Sequence, residues 1–275
     1  MKILKRLSIV LVALSVMAGS GYAQSDQTHQ LAIPLSNPGK PGQLKCDLIN
    51  GTISVSGYNG KEVIIRYSGE QRVFGRRHND EDVPKGMHRV TNNSMQLEAK
   101  EDNNTVTINP GIPNRSLTLD IQVPKNFSLN LANVNGGTVK VKNVNGEFDI
   151  SNVNGGIELT NVSGSVNANT VNGKIVANFE KISNNPMAFT TLNGKVDVTL
   201  PASAKFTARM KTERGDIYTD FDMNMTKQNK ANVTTSKQNG VFKVSVDKWM
   251  YGEVNGGGPE IIFKSFNGDI YIRKK

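Results

Sequence analysis

Val134-Asn135-Gly136, Val144-Asn145-Gly146, Val153-Asn154-Gly155, Val162-Ser163-Gly164 and Val171-Asn172-Gly173 follow one another along this chain. Their glycines stand 10, 9, 9 and 9 residues apart, and the extra residue of the first step coincides with the doubled Gly136-Gly137. The interval then becomes 21 residues, through Asn193-Gly194 to Gly215, and the stretches 170–179, 191–200 and 212–221 align without a gap. Thr170, Thr191 and Thr212 share a column, as do Ile175, Val196 and Ile217, and Phe179, Leu200 and Phe221. A last copy runs from Ser265 through Phe266-Asn267-Gly268 to Ile272, and an early one stands at Ile49-Asn50-Gly51.

One unit has a simple physical reading. Glycine takes the positive φ that a sharp corner needs, and asparagine tolerates the left-handed region better than most residues. Behind the glycine, apolar side chains fall at the second and fourth positions, as in Val166 with Ala168, Ile175 with Ala177 and Val196 with Val198. That is a period of two, a strand with one buried face. The intervening Lys174, Asp197 and Asp269 are expected in solvent. Another apolar residue stands two before the glycine in most copies, Glu213 before Gly215 being the exception. The 32 asparagines support many tight corners rather than long strand interiors.

Two all-β architectures fit. An antiparallel sandwich or barrel would use Asn-Gly in type I′ hairpins. A parallel solenoid would turn each side of a coil at such a corner and stack like residues in columns. The columns favour the solenoid, with rungs of 18–21 residues: early rungs carry the motif on both sides, later ones on one side, with Phe206, Ala208 and Met210 on the other. Asn133, Asn143, Asn152 and Asn161, each three before its glycine, are then expected to form side-chain ladders. The corners to be located are Asn135, Gly136, Asn145, Gly146, Asn154, Gly155, Gly164, Asn172, Gly173, Asn193, Gly194, Gly215, Asn267 and Gly268.

The remainder divides into an export signal and an N-terminal β region. Lys2, Lys5 and Arg6 precede an apolar run over 7–18, and Gly21-Tyr22-Ala23 predicts signal cleavage before Gln24. The run is too short for a span, which needs about 17–25 residues, and no later segment is long enough. Residues 24–125 hold the early repeat (44–67) and a long excursion (69–116), and 126–275 hold the main repeat. The excursion carries Arg72, Arg76, Arg77, Asp80, Glu81 and Asp82, and either covers the solenoid end or binds something. Within it a hairpin is expected around Asp102-Asn103-Asn104, followed by a strand from Leu117 to Val123. The stretch 223–236 reads as irregular, and most of Phe242, Trp249, Tyr251 and Phe263 as core. Cys46 stands alone, so no intramolecular disulfide forms and a buried thiol is expected.

Function classes narrow by chemistry. Without residues 1–23 the net charge is +6, from 30 basic against 24 acidic residues, which permits contact with anionic envelope polymers without arguing for it. A dense basic stripe for nucleic acid is missing. His29, His78 and His88 are too scattered for zinc, and no nucleophile elbow or phosphate loop occurs. The position after each glycine varies, against a calcium-binding β-roll, so no cofactor and no metal is expected. Arg214-Gly215-Asp216 reads as one more corner rather than an integrin ligand.

Leu117-Thr118-Leu119-Asp120-Ile121-Gln122-Val123-Pro124, the serial Val-Asn-Gly motif and the closing Asn267-Gly268-Asp269-Ile270 resemble a bacterial family of β-strand-repeat, adhesin-like domains of unknown function. The resemblance covers roughly 42–275 and implies a right-handed parallel β-helix in the cell envelope, with no catalytic residues to carry over. The expected function is a non-enzymatic exported scaffold, in the periplasm or at the cell surface, for contact with an envelope protein or glycan. A periplasmic partner in envelope sensing or assembly is the alternative, and a glycan-active β-helix enzyme a more distant one.

Overall fold

The structure is a computed structural model that describes residues 28–70, 97–111, 116–226, 232–238, 241–247 and 249–275. Among them there is no helix. The strands run, in chain order, β1 (His29–Pro34), β2 (Gly42–Tyr58), β3 (Glu62–Glu70), β4 (Glu98–Asp102), β5 (Thr105–Asn109) and β6 (Ser116–Pro124). Next come β7 (Phe127–Gly136), β8 (Val139–Lys142), β9 (Asn145–Asn154), β10 (Ile157–Asn172), β11 (Ile175–Ile182), β12 (Met187–Asn193) and β13 (Val196–Leu200). The last are β14 (Phe206–Arg214), β15 (Ile217–Thr219), β16 (Met223–Thr226), β17 (Asn232–Gln238), β18 (Val241–Asp247), β19 (Met250–Val254), β20 (Glu260–Asn267) and β21 (Ile270–Lys274).

These strands stack in parallel as eight rungs, each bent at a corner between a front and a back face. Along the axis the rungs are β5 with β6, then β2, β7 with β8, β9 with the start of β10, the rest of β10 with β11, β12 with β13, β20 with β21, and β14 with β15. The solenoid expectation is borne out. Its stacking order is not the order of the sequence. Stretch 212–221 does not lie on 191–200, because the C-terminal rung separates them: Thr191 pairs with Ser265, and Ser265 with Thr212. The early copy at Gly51 is likewise enclosed, between Leu117 and Gly136.

Antiparallel strands finish the stack. At the N-terminal end β4 lies on β5, β3 on β6 and β1 on β3. At the other end β19 lies on β14 and β16 on β19. An unpaired parallel edge would template further strands, so this finish has the effect of a cap. The predicted hairpin is β4–β5, with Asn103 and Asn104 at φ 51° and 61°, a type I′ turn. The charged segment containing Arg72, Arg76, Arg77, His78, Asp80, Glu81, Asp82 and His88 lies outside the described residues. The stretch 223–236, expected irregular, contains β16 and part of β17, which forms a separate hairpin with β18.

The core runs the length of the axis. Phe179, Phe189 and Phe263 are fully buried on three successive rungs; Phe189 meets Phe179 edge-on at 6.1 Å and stacks on Phe263 at 5.7 Å. Trp249 and Tyr251, expected in the core, are half-buried on the outside, where Arg209 lies 4.2 Å from the Trp249 ring centre. Cys46 is buried, as expected, and desolvation, with the nearby charge of Asp47, pushes its thiol up to about 12. An iodoacetamide time course at pH 8 should therefore leave Cys46 unlabelled until denaturant is added, since the thiolate is the reactive form.

Candidate functional site: stacked corners and a polar cleft

The corner residues named from the sequence fall into two columns. Gly51, Gly136, Gly155, Gly173, Gly194, Gly268 and Gly215 stack along one edge, whereas Gly146 and Gly164 stack at the opposite corner. Close approach explains the glycines of the first column: a Cβ at Gly194 would lie 2.1 Å from the Gly173 carbonyl oxygen.

Side-chain ladders brace this corner, but not with the asparagines expected. Outside, Asn154 donates to Asn135 (2.9 Å), Asn172 to Asn154 (3.0 Å), Asn193 to Asn172 (2.8 Å) and Asn267 to Asn193 (2.7 Å). Inside, from the third rung onward, the polar side chain three before the corner glycine donates to a glycine carbonyl on the neighbouring rung. Asn133 reaches Gly51 (3.0 Å), Thr170 Gly155 (2.7 Å), Thr191 Gly173 (2.9 Å), Ser265 Gly194 (3.0 Å) and Thr212 Gly268 (3.0 Å). Asn152 reaches two, Gly137 and Gly156. Only Asn161 and Asn143, at the opposite corner, form the predicted kind of pair, at 3.5 Å.

The inner ladder gives a sharp contrast. An asparagine there donates well but leaves its Oδ1 buried and unpaired, as at Asn133. A threonine makes the same bond through a single hydroxyl oxygen, with no separate amide carbonyl to bury. Asn133→Thr should raise stability by about 0.5–1 kcal/mol, and Thr191→Val should lower it by about 1–2 kcal/mol, since the Gly173 carbonyl loses its partner. Urea melts measure both; equal shifts would sink this account of the ladder.

The face changes at the corner. On the back face Asp197 receives Arg273 at 2.7 Å and Lys195 at 3.0 Å, and the neighbouring Tyr271 and Tyr218 stack at 5.1 Å. Partial burial works to raise the Asp197 carboxyl, but hydrogen bonds and charge from Arg273 and Lys195 outweigh it and hold the group below its ordinary value. A depressed folded value stabilises above the unfolded pKa, about 3.9, and that contribution is lost as pH falls through the folded one. Asp197→Asn should therefore flatten the acid side of a stability-versus-pH curve.

On the front face a cleft of about 600 Å³ opens between Pro41 and Pro186. Ser128, Asn130, Asp149 and Asn167 form its floor. Asn167 donates to Asp149 at 3.2 Å, Asn169 to Asn167 at 3.1 Å, and Asn185 to Glu147 at 2.9 Å. Nothing in the spacing of the motif announced this cleft, because its walls are irregular loops and its floor lies upstream of the corners. Beside it runs an outward column of Ile49, Val134, Val153, Val171, Leu192 and Phe266, each 37–47% exposed.

Arg214-Gly215-Asp216 occupies the eighth corner, as expected; Arg214 pairs in register with Asn267. Among the described residues, no helix is long and apolar enough to cross a membrane, and no group of three His, Cys, Asp or Glu side chains is placed to hold a metal.

A family model described as Toastrack DUF4097 matches residues 133–255. No curated protein sequence matches the chain. Among solved structures, a "putative cell adhesion protein" from Clostridium sporogenes shares 14% identity, with 90% of this chain and 99% of that one covered and a TM-score of 0.45. A "putative adhesin" from Bacteroides fragilis shares 11%, with 91% and 98% covered and a TM-score of 0.31. The fold itself rests on the parallel register above. The Toastrack family is what residues 133–255 match, and the resemblance carried by the serial Val-Asn-Gly motif is borne out there.

Proposed function

We propose that this chain is an exported, non-enzymatic envelope protein whose solenoid is a rigid scaffold for contact with an envelope protein or glycan. The exposed apolar column from Ile49 to Phe266 carries this reading. Six rungs present a large apolar side chain outward at the same place, and ordered apolar surface of that kind marks interaction sites. The polar groups of the corner are spent on the ladders, so they hold the column rigid rather than serve chemistry. Three shifted acid groups are held the same way: Cys46 by the core, Asp197 by Arg273 and Lys195, and Glu101 by hydrogen bonds from Ser36 and Asn104. Export rests on the signal pattern in residues 1–23, which lie outside the described residues.

The mature chain, immobilised, should retain a component of envelope extract, and a Val153→Asp/Val171→Asp variant should retain markedly less. No retention, or equal retention by the variant, defeats the reading. Protease added to intact cells separates the compartments: digestion supports surface display, and full protection supports a periplasmic partner. Turnover of an envelope polysaccharide that stops on substitution of one carboxylate would overturn the non-enzymatic reading.

A further inference from the structure

We infer that the front-face cleft is a binding site for a neutral glycan, a conclusion that rests on the scaffold reading and gives it a ligand class. Its volume, about 600 Å³, falls within the range of roughly 300–1,000 Å³ common for ligand sites. Its floor is a register of hydrogen-bonding side chains, one per rung: Asn130 stands beside Asp149, and Asp149 beside Asn167. Ser128, Glu147 and Ser165 make the adjoining row. Rungs of a parallel ladder repeat at about 4.8 Å, so the row offers donors and acceptors at a regular short interval. Amides supply both functions, hydroxyls both, carboxylates acceptors only. That mixture suits a polymer dense in hydroxyl groups.

The ligand's charge follows from the contrast between faces. From the third to the sixth rung the front face carries only Glu147 and Asp149 as charged side chains, and the second rung, whose Gly42 and Gln43 also line the cleft, adds Asp47 and, beside Asn130, Lys45. The back face of the same rungs carries Lys140, Lys142, Lys174, Lys181 and Lys195 against Glu158, Glu180 and Asp197. The lysine excess lies on the back, whereas the front face around the cleft is net acidic, so the cleft favours a polymer without negative charge. The cleft has no Trp, Tyr or Arg of the kind that anchors protein interfaces. The bond from Asn167 to Asp149 fixes the floor, and the exposed Asn130 amide makes no side-chain hydrogen bond among the described residues. Asn130 is thus the group assigned to ligand.

Titration calorimetry of the mature chain against neutral hexaoses of glucose, galactose, mannose and N-acetylglucosamine, with heparin as the anionic probe, tests this. At least one hexaose should bind with a submillimolar Kd and heparin should not compete for it. Asn130→Ala/Asn167→Ala should weaken binding by about tenfold or more. Asn130→Arg, which fills the cleft, should abolish it, and Lys174→Ala on the back should leave it unchanged. Each variant is first shown to melt like the parent, which its exposed position favours. Binding of none of the hexaoses, or binding indifferent to the cleft variants, overturns the inference. If envelope extract is retained equally after periodate treatment, the scaffold reading stands and the glycan falls. If oligosaccharides bind but extract is not retained, the reverse holds.

Discussion

Gly194→Val is expected to destabilise the chain by about 3–5 kcal/mol, lowering Tm by on the order of 10 °C. Two effects combine. Gly194 sits at φ 155°, and its missing Cβ leaves room for the Gly173 carbonyl, which a side chain would meet at 2.1 Å. That oxygen belongs to the backbone and also accepts the Thr191 hydroxyl, so it has nowhere to move. Gly256→Ala is the control. Gly256 has φ 86° with nothing within 4 Å of a Cβ, so only the conformational cost of about 1–2 kcal/mol applies. Guanidinium melts of the two variants decide the matter: if they lose the same stability, the close approach of stacked corners is not what selects glycine.

A still larger loss is expected from ending the chain after Pro259. In a solenoid that adds rungs in sequence, removing the last one exposes its neighbour and leaves the rest folded. Here the removed segment is the seventh rung of eight. Ile261, Phe263, Ile270 and Ile272 are all fully buried, and each is worth about 1.5–3 kcal/mol. Their loss leaves β12 with β13 on one side and β14 with β15 on the other with no ladder between them. The sum rivals the whole stability of an ordinary domain, about 5–15 kcal/mol. Circular dichroism should show loss of cooperative melting. A truncated chain that keeps a sharp transition near the parent's would mean that β14 and β15 close directly on β12 and β13.

The sequence revealed the repeat but not its threading. Period-two apolar residues and glycine corners declare a rung because they are local. Which rung lies on which is decided by contacts between distant segments, and Ser265 looks the same in sequence whether it ends the stack or fills a gap in it. The motif was ambiguous in a second way. Val134, Val153 and Val171 point outward, whereas Val144 and Val162 in the same tripeptide context are buried. The difference lies in the preceding residue: Asn143 and Asn161 adopt φ 57° and 52°, which shifts the in-out alternation, while Asn133 and Asn152 remain outside that region and bury their amides. Both conformations are open to asparagine, so the letters do not choose between them. For the same reason the exposed column, which carries the functional reading, was not legible from the apolar pattern alone.

The outer asparagine ladder has a polarity. Every amide donates toward the N-terminal end of the stack, from Asn267 through Asn193, Asn172 and Asn154 to Asn135. Aligned amide dipoles polarise one another, so the carbonyl end of the row gathers partial negative charge at Asn267. The next position in register is Arg214, a cation with donors only. It complements that end electrostatically, where another asparagine would merely pass the dipole on. It also breaks the template: a bare amide row invites further copies to extend it, as stacked asparagines do in fibrils, and a terminal guanidinium repels its own likeness. The arginine of the Arg-Gly-Asp tripeptide thus ends the amide row at the last rung, on the same strand that β19 covers.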